Sequence, residues 1–495
     1  MEPSNKPKAM PQLLAPEELA ARASRLRERA RILGASPLAI LAGNGKAALV
    51  GRRLANDVRA PLVPINPLLR PAEIAHILED SQATHLLVEE GREADAEAAV
   101  VALTGKRPQL LALEEEPLAA DQVLVFEGAA SAAASAAASV DDDDIGATLI
   151  YTSGTTGRPK GCFRTAAQEA ARARELIATY SLTSRDVQLI ACPLAHSAPG
   201  ILVRTAHAIG ARSVILPRFT AQSFRDAWQQ HRASFFFLVP TQYRRLLDAF
   251  ASTSEQLWSP PSSTRAALVA GAPLRDALRE DVKTWLGSDA LWQFYGSSET
   301  GTISIAAPGF SAADGVGKLA PNVELEVRDV QGRPCPPNAL GEMFVRSPTV
   351  MTGYWPSKKP EHADGFISVG DLGYMSDDGS LHLVDRKNDT IISGGVNVYP
   401  AEVEATLLAM ESVDAAVVVG IDDPNWGQRV VALVACSGDQ SADELRQACR
   451  SSLAAYKVPK QIVLWPLGEM PVGASGKPLR RRARELLLEL QPAST

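Results

Sequence analysis

The sequence predicts an α/β architecture: a large N-terminal domain of parallel αβ sheets, a small β-barrel-like subdomain, and a small α+β C-terminal domain. Three observations predict it. The chain has 495 residues, too many for one ordinary core. Short apolar runs alternate with helix-patterned segments along most of it, which implies parallel sheets covered on both faces. Near residue 340 the pattern changes to closely spaced short strands.

The first sixteen residues, MEPSNKPKAMPQLLAP, are Pro-rich and polar and are expected to be loose. They lack the apolar core of a signal peptide. SPLAILAG reads as a buried strand. RPAEIAHILEDSQ reads as a helix, with Ile74, Ile77 and Leu78 at helical spacing. THLLVEE is strand-like. The Ala/Ser-rich stretch 129–144 ends in four aspartates and reads as an exposed linker. Beyond it, AAQEAARARELIATY is helical. VQLIAC, RSVILP, SFFFLVP, RAALVAG and LWQFYG are strands with helices between several of them. GEMFVRS, FISVGDLGYMS and SLHLVDRK are the short strands of the subdomain, and Asp378-Gly379 is a hairpin turn signal. From about 390 onward, AAVVVGI, VVALVAC and QIVLWPL alternate with helices. One helix opens at Ser441 with Glu444 three residues on, a capping-box spacing.

Composition narrows the function. Hydrophobic residues make up 46% and charged residues 22%, the profile of a folded soluble protein. The net charge of −7 offers no basic balance to neutralise phosphates, which argues against a nucleic-acid partner. The basic run Arg480-Arg481-Arg482 reads as a solvated helix start, with a phosphate contact as the alternative. Five scattered cysteines form neither a disulfide framework nor a zinc pattern, and a reducing cytoplasm fits. No run approaches the length of a membrane span.

The chemistry concentrates in YTSGTTGRPKG, residues 151–161, directly after an apolar strand. Glycines let backbone N–H groups approach phosphate oxygens, hydroxyls add donors, and a lysine adds a mobile charge. The P-loop pattern G-x-x-x-x-G-K-[ST] fails here: five residues after Gly154 stands Pro159. The dinucleotide pattern G-x-G-x-x-G is absent from this loop too.

The loop resembles the signature of the adenylate-forming superfamily of acyl-CoA synthetases, aryl-CoA ligases, luciferases and peptide-synthetase adenylation domains. Further stretches resemble that family's motifs in its order: CPLAHSAPG (192–200), AGAPL (270–274), YGSSETG (295–301), GDLGYMSDDG (370–379), DRKNDTIISGGVNVYPAEVE (385–404) and GASGKPLRR (473–481). The resemblance covers roughly residues 40 to 480. It implies a domain of residues 1–386 that binds ATP and the acid, a hinge at 387–389, and a mobile C-terminal domain of residues 390–495 that carries the catalytic lysine.

The resemblance also implies a reaction in two halves. A carboxylate attacks the α-phosphate of ATP, and pyrophosphate leaves. A thiol then takes the acyl group, and AMP leaves. An anion meets a polyanion in the first half, so fixed donors and cations should lower the barrier most. Thr152, Ser153, Gly154, Thr155, Thr156, Gly157 and Lys160 would hold the phosphates. Glu299 would bind Mg²⁺ through hard carboxylate oxygens, or be an ordinary loop acid. Ser298 stands where the family usually has Thr, and keeps the hydroxyl that would donate to the α-phosphate. Asp371 would accept both ribose hydroxyls, or be a turn aspartate. Arg386 would add a ribose or phosphate contact. Tyr295 would stack on adenine, with Gly271 and Ala272 against the base. Lys477 would neutralise carboxylate and α-phosphate during adenylation. His196 either borders the carboxylate or is structural. Asn388 stands at the hinge position, where the family often has Asp or Lys. Gly394 and Gly395 would let pantetheine pass. Trp426 and Tyr456 would stack on the CoA adenine or be core aromatics.

The acid pocket is expected around His196, Gly200, Phe294 and Thr300, with Trp292 and the residues up to Ile303 as further candidates. Phe294 has the bulk for a shallow pocket, hence a short, medium or aryl acid. Arg204 is either a helix-surface residue or a contact for a second carboxylate. The sequence after Lys477 holds no GGxS-type phosphopantetheine site, which favours CoA as acceptor. A stand-alone enzyme that loads a carrier protein is the alternative. A silent nucleotide-binding module is a third reading, disfavoured by Lys160, Glu299, Asp371 and Lys477.

Overall fold

The computed structural model describes residues 11–30, 36–115, 117–120, 122–127, 140–152, 159–251, 259–287, 289–357, 364–368, 370–393, 396–473 and 478–490. The chain divides into two compact units. The first comprises Met1–Ala312, Leu319–Glu324 and Val345–Ile367, and the second Ala313–Lys318, Leu325–Phe344 and Ser368–Thr495.

Two large sheets organise the first unit. A seven-stranded sheet runs in the order Gly353–Tyr354, Lys160–Arg164, Thr148–Thr152, Leu62–Ile65, Leu38–Leu41, His85–Glu89 and Gln109–Leu113. From Thr148–Thr152 onward the neighbours are parallel. Lys160–Arg164 is antiparallel to both of its neighbours. A nine-stranded sheet runs Gln12–Leu14, Leu124–Phe126, Arg212–Ile215, Val187–Ile190, Phe235–Leu238, Ala266–Val269, Leu291–Ser297, Gly301–Ala306 and Lys318–Leu319. Its centre, Arg212–Ile215 through Leu291–Ser297, is parallel. Parallel strands need a crossover each, and helices such as Ala221–His231 and Pro240–Ala251 supply it. Leu38–Leu41, Phe235–Leu238 and Ala266–Val269 are buried throughout, as their unbroken apolar runs require.

The loose N-terminus expected from sequence is partly corrected. Gln12–Leu14 pairs in parallel with Leu124–Phe126, and Leu14 is completely buried. Helix Pro16–Ala30 follows and seats Leu19, Ala23 and Leu26 in the core. Apolar contact, rather than β-propensity, holds this three-residue strand. Most of the Ala/Ser-rich linker, 128–139, lies outside the described residues. Its acidic end forms the short helix Asp142–Ile145, capped by Asp141.

The second unit contains two smaller sheets. One orders Glu324–Arg328, Gly341–Arg346, Asp371–Met375 and Leu381–Arg386. Its last two strands pair as a hairpin whose turn carries Gly379 at φ 82°, a left-handed value that suits glycine. The other orders Val396–Val398, Ile391–Ser393, Gly427–Cys436 and Val413–Asp423, and Gln461–Leu464 joins Gly427–Cys436 in parallel. Helix Ala442–Ser452 starts as expected: Ser441 Oγ accepts from Glu444 N at 3.2 Å, and Ser441 N donates to Glu444 Oε2 at 2.8 Å. Among the described residues, no helix is long and apolar enough to cross a membrane.

Trp228 anchors the nine-stranded sheet. It is fully buried, with ring centroids 4.7 Å from Phe236, 5.5 Å from Phe224 and 5.6 Å from Trp285. Trp228→Ala should cost about 3–5 kcal/mol through lost transfer energy and a residual cavity. Urea unfolding followed at the first unit's transition measures it, and a loss below about 1 kcal/mol would show that the site collapses around the gap.

Candidate active site

Thr148–Thr152 and Lys160–Arg164 form an antiparallel hairpin in which Thr152 faces Lys160 and Tyr151 faces Gly161. The hairpin brackets Ser153, Gly154, Thr155, Thr156 and Gly157, which lie outside the described residues. A methyl group on Gly161 would meet Leu149 and Tyr151 side chains at 2.8–3.1 Å, so the pairing leaves room for glycine only. Tyr151 is pinned from behind, its hydroxyl donating to Asp80 Oδ2 at 2.6 Å.

Glu299 meets this hairpin. Its Oε1 accepts from Thr152 Oγ1 at 3.1 Å and from the Tyr354 hydroxyl at 3.2 Å. Lys160 Nζ lies 5.0 Å from the Tyr354 ring centroid. Thr152, Lys160, Glu299 and Tyr354 therefore form one cluster of a cation, a carboxylate and two hydroxyls. Tyr354 escaped sequence reasoning because nothing in GYW marks it, and it lies 55 residues from its partner.

Glu299 is held by a tight turn between Leu291–Ser297 and Gly301–Ala306. Ser297 Oγ accepts from the N–H groups of Glu299 and Thr300 at 3.1 and 3.2 Å. A methyl on Gly296 would sit 2.0 Å from Gly301 O, and Gly301 has φ 77°. Ser298 is half-buried in the same turn, and Tyr295 half-buried on the strand before it. Thr300 is buried, and its hydroxyl is engaged with Ser297 and Gly301 O, which braces the turn. Gly271 and Ala272 follow the buried strand Ala266–Val269, with Gly271 exposed at φ 87°.

A pocket lies nearby in sequence terms and wholly within the first unit. Leu176, Ala198, Ile201, Leu202, Leu268 and Phe294 supply its apolar wall, and Arg172 and Thr302 its polar groups. Phe294 lines this pocket, its ring 5.7 Å from Phe237. Trp292 packs on Tyr180. His196 is exposed at the N-cap of helix Ser197–Ala208. Gly200 is buried one turn into that helix, where its carbonyl accepts from Arg204 Nε at 3.1 Å.

Behind the pocket stands a buried charge cluster. Glu169 is completely buried; its Oε2 meets Arg172 Nη1 and Arg204 Nη2, each at 3.0 Å, and Thr148 donates to its Oε1. Burial opposes its ionisation, yet Arg204, Arg172 and Arg164 hold it well below the usual carboxylate range. Burial lowers Arg164 to about 10 and Arg52 to about 9. Arg204 is thus no helix-surface arginine: its side chain is 10% exposed and committed to Glu169. Burial pushes Glu175 up to about 7, against the Thr302 hydroxyl and the Arg172 charge.

In the second unit, Asp371 and Arg386 are register partners on adjacent strands, with Arg386 Nε 3.1 Å from Asp371 Oδ1. Asp371 is 8% exposed. Asn388 sits inside the one-turn helix Lys387–Asp389. Trp426 is exposed, with Lys460 Nζ 4.4 Å from its ring centroid, and Tyr456 is half-buried beside Lys457. Gly394, Gly395 and Lys477 lie outside the described residues. Val472 and Pro478 form an antiparallel bridge flanking the segment that contains Lys477.

Three residues beyond Lys477, Arg480 departs from the solvated reading. Its Nη1 donates to Asp389 Oδ2 at 2.7 Å and lies 3.9 Å from Asp385 Oδ1, and its Nη2 donates to Glu404 Oε2 at 2.8 Å. Burial raises Asp385 and Glu404, and Arg480 opposes that rise. Arg481 and Arg482 are exposed, as expected.

The first unit thus holds a cluster of a cation, a carboxylate and two hydroxyls, and an apolar pocket. The chain is similar over most of its length to known enzymes. A family model described as AMP-binding enzyme matches residues 17–355, and one described as AMP-binding enzyme C-terminal domain matches 402–477. A 2-succinylbenzoate–CoA ligase of Bacillus velezensis is 34% identical over 435 residues, covering 86% of this chain and 83% of that one. A feruloyl-CoA synthase of an Amycolatopsis species is 32% identical over 489 residues, 94% of this chain and 92% of that one. The structure of o-succinylbenzoate CoA synthetase from Bacillus subtilis with its acyl-adenylate intermediate superimposes with a TM-score of 0.79 at 27% identity, covering 96% of this chain and 95% of that one. The chain belongs to the AMP-binding enzyme family, the adenylate-forming superfamily that its motifs resemble.

Proposed function

We propose that this chain is an AMP-forming aryl-CoA ligase: it converts an aromatic carboxylic acid and ATP to an acyl-adenylate and pyrophosphate, then passes the acyl group to CoA and releases AMP. The apolar pocket faced by Phe294, with a phosphate-type cluster in the same unit, is the observation that carries the reading. Relatives that are CoA ligases for aromatic acids support it. CoA is the acceptor in those relatives, which leaves the carrier-protein alternative without a comparable observation. Scattered free cysteines fit a reducing cytoplasm.

The residues divide the work by their chemistry. Thr152 and Lys160 hold the β- and γ-phosphates together with the loop between them. Glu299 suits Mg²⁺, an ion commonly held by one or two carboxylates plus substrate phosphates. Mg²⁺ bound there supplies neutralisation of the phosphate charge. Tyr354 and Thr152 orient the carboxylate that receives it. Ser298 donates to the α-phosphate, and Gly271, Ala272 and Tyr295 receive the base. Asp371, braced by Arg386, accepts the ribose hydroxyls. Lys477 neutralises the reacting carboxylate and α-phosphate. His196 borders the pocket at the start of the helix that supplies Ala198, Ile201 and Leu202. Asn388, between residues 1–386 and 390–495, is the hinge, and Gly394, Gly395, Trp426 and Tyr456 serve CoA.

Arg480 acts on Lys477 through the backbone. It ties the start of helix Arg480–Glu489 to the hinge turn and to helix Pro400–Leu408.

Release of AMP and pyrophosphate from Mg·ATP, measured across aryl and aliphatic acids with and without CoA, tests the assignment. The two products should appear together, with aryl acids and CoA. Adenylate without CoA turnover would move the acceptor to a carrier protein, and silence with every acid would sink the enzyme reading.

Lys477→Ala should lower adenylation by about a hundredfold or more, the cost of removing one preorganised charge, while turnover of a supplied acyl-adenylate with CoA persists. Arg480→Gln should lower adenylation in the same half-reaction-selective way, by about tenfold on the strength of charged hydrogen bonds. Equal losses in both halves would show that Arg480 only stabilises the fold.

A further inference from the structure

We propose that helix Pro71–Ser81 is the brace that sets the phosphate end of the nucleotide site: His76 and Asp80, four residues apart, hold Pro159 and Tyr151 and thereby place Lys160 and Thr152. Both are positioning residues, acting through the hairpin rather than on the nucleotide. This rests on the reading of that hairpin as the ATP site of the ligase.

The geometry is that of one helix edge gripping both strands of one hairpin. His76 Nε2 lies 2.9 Å from Pro159 O. A carbonyl only accepts, so the imidazole donates. Asp80 Oδ2 accepts from the Tyr151 hydroxyl at 2.6 Å. Positions i and i+4 of a helix share a face, and His76 and Asp80 are both half-buried. The closing register pair of the hairpin is Thr152 with Lys160. Tyr151 therefore stands one residue inside the end of the ladder, and Pro159 one residue outside it. The two bonds fall on the immediate neighbours of the two residues assigned to the phosphates.

Each bond sits where the ladder alone holds least. Pro159 has no N–H, so its carbonyl is the backbone group through which a neighbour can hold it. Lys160 follows directly, with its Nζ 5.0 Å from the Tyr354 ring centroid. On the other strand, burial and then the Asp80 bond raise the Tyr151 phenol far above its ordinary value, so it stays a donor. Thr152 comes next and donates to Glu299 Oε1 at 3.1 Å. The helix is itself a firm platform. Ile74, Ala75, Ile77 and Leu78 share one buried core with Leu149 and Phe163 of the two hairpin strands. Arg70 N donates to Glu73 Oε2 at 2.8 Å and closes the first turn. That core fixes the middle of the hairpin, and His76 and Asp80 fix the end where Thr152 and Lys160 stand.

Titration calorimetry of the full chain with Mg·ATP and with AMP separates this from a purely structural role, because AMP lacks the β- and γ-phosphates. His76→Ala and Tyr151→Phe should each weaken Mg·ATP about three- to tenfold, the span of one neutral hydrogen bond, and leave AMP affinity unchanged. His76→Gln, which keeps an N–H donor, and Asp80→Asn, which keeps an acceptor, should retain most of the wild-type affinity. Equal weakening of both nucleotides, or of neither, overturns the inference and leaves the ligase reading standing. A wild type that binds neither nucleotide is instead failure of the ligase reading. If His76→Ala does not fold, Tyr151→Phe, which removes a single oxygen atom, still decides.

Discussion

The first unit depends on one buried carboxylate. Glu169 receives Thr148 from strand Thr148–Thr152, Arg172 from its own helix, and Arg204 from the helix that walls the pocket. Arg164, at the end of strand Lys160–Arg164, contributes to the same field. Two strands and two helices are therefore referred to a single point. The geometry is strict because the alternative is severe. A fully buried charge that loses a partner has no water to replace it, and breaking such a pair costs about 3–5 kcal/mol. Whatever moves the strand hairpin also moves Glu169, and with it the wall of the pocket.

The second unit uses the same device with the signs reversed. Arg480 is one guanidinium among three carboxylates, Asp385, Asp389 and Glu404. Two of these also cap backbone: Asp385 accepts from Ala401 N at 2.7 Å and Glu404 from Val418 N at 2.9 Å. Removing Arg480 would leave three acids in mutual repulsion around the turn that holds Asn388. A hinge needs stiff parts on either side if its motion is to be a rotation rather than a general loosening. The cluster reaches Asp389, the residue next to Asn388, and starts helix Arg480–Glu489.

Legibility in the sequence followed the range of the interaction. Helix Ala166–Tyr180 coincides with the stretch AAQEAARARELIATY because its start is written locally: Thr165 and Gln168 close a capping box on each other. The central strands were readable because unbroken apolar runs have few other uses. The register pairing of Asp371 with Arg386 followed from a hairpin whose turn was recognised. The failures are non-local. Gln12–Leu14 becomes a strand only because Leu124–Phe126 lies beside it. Glu169 and Arg172, spaced three apart, look like an ordinary exposed helix pair. What buries them is Arg204, on another helix. Arg480 reads as one of three solvated arginines until Glu404, 76 residues earlier, is placed against it. Motif resemblance was silent on Tyr354, which bonds Glu299, and on Arg172 and Arg480, which sit in buried charge clusters.

That silence has a physical basis. Residues that bind ATP face one ligand of fixed shape, so their types and spacing can recur as a phrase such as YTSGTTGRPKG. The residues that line the apolar pocket lie on several elements, here helix Ala166–Tyr180 and strand Gly301–Ala306. Their meaning depends on net charge within a small volume, which no short phrase can encode. Glu169 meets Arg172 of its own helix and Arg204 of another, with Arg164 in the same field, so the role of each side chain is set by partners far apart in sequence.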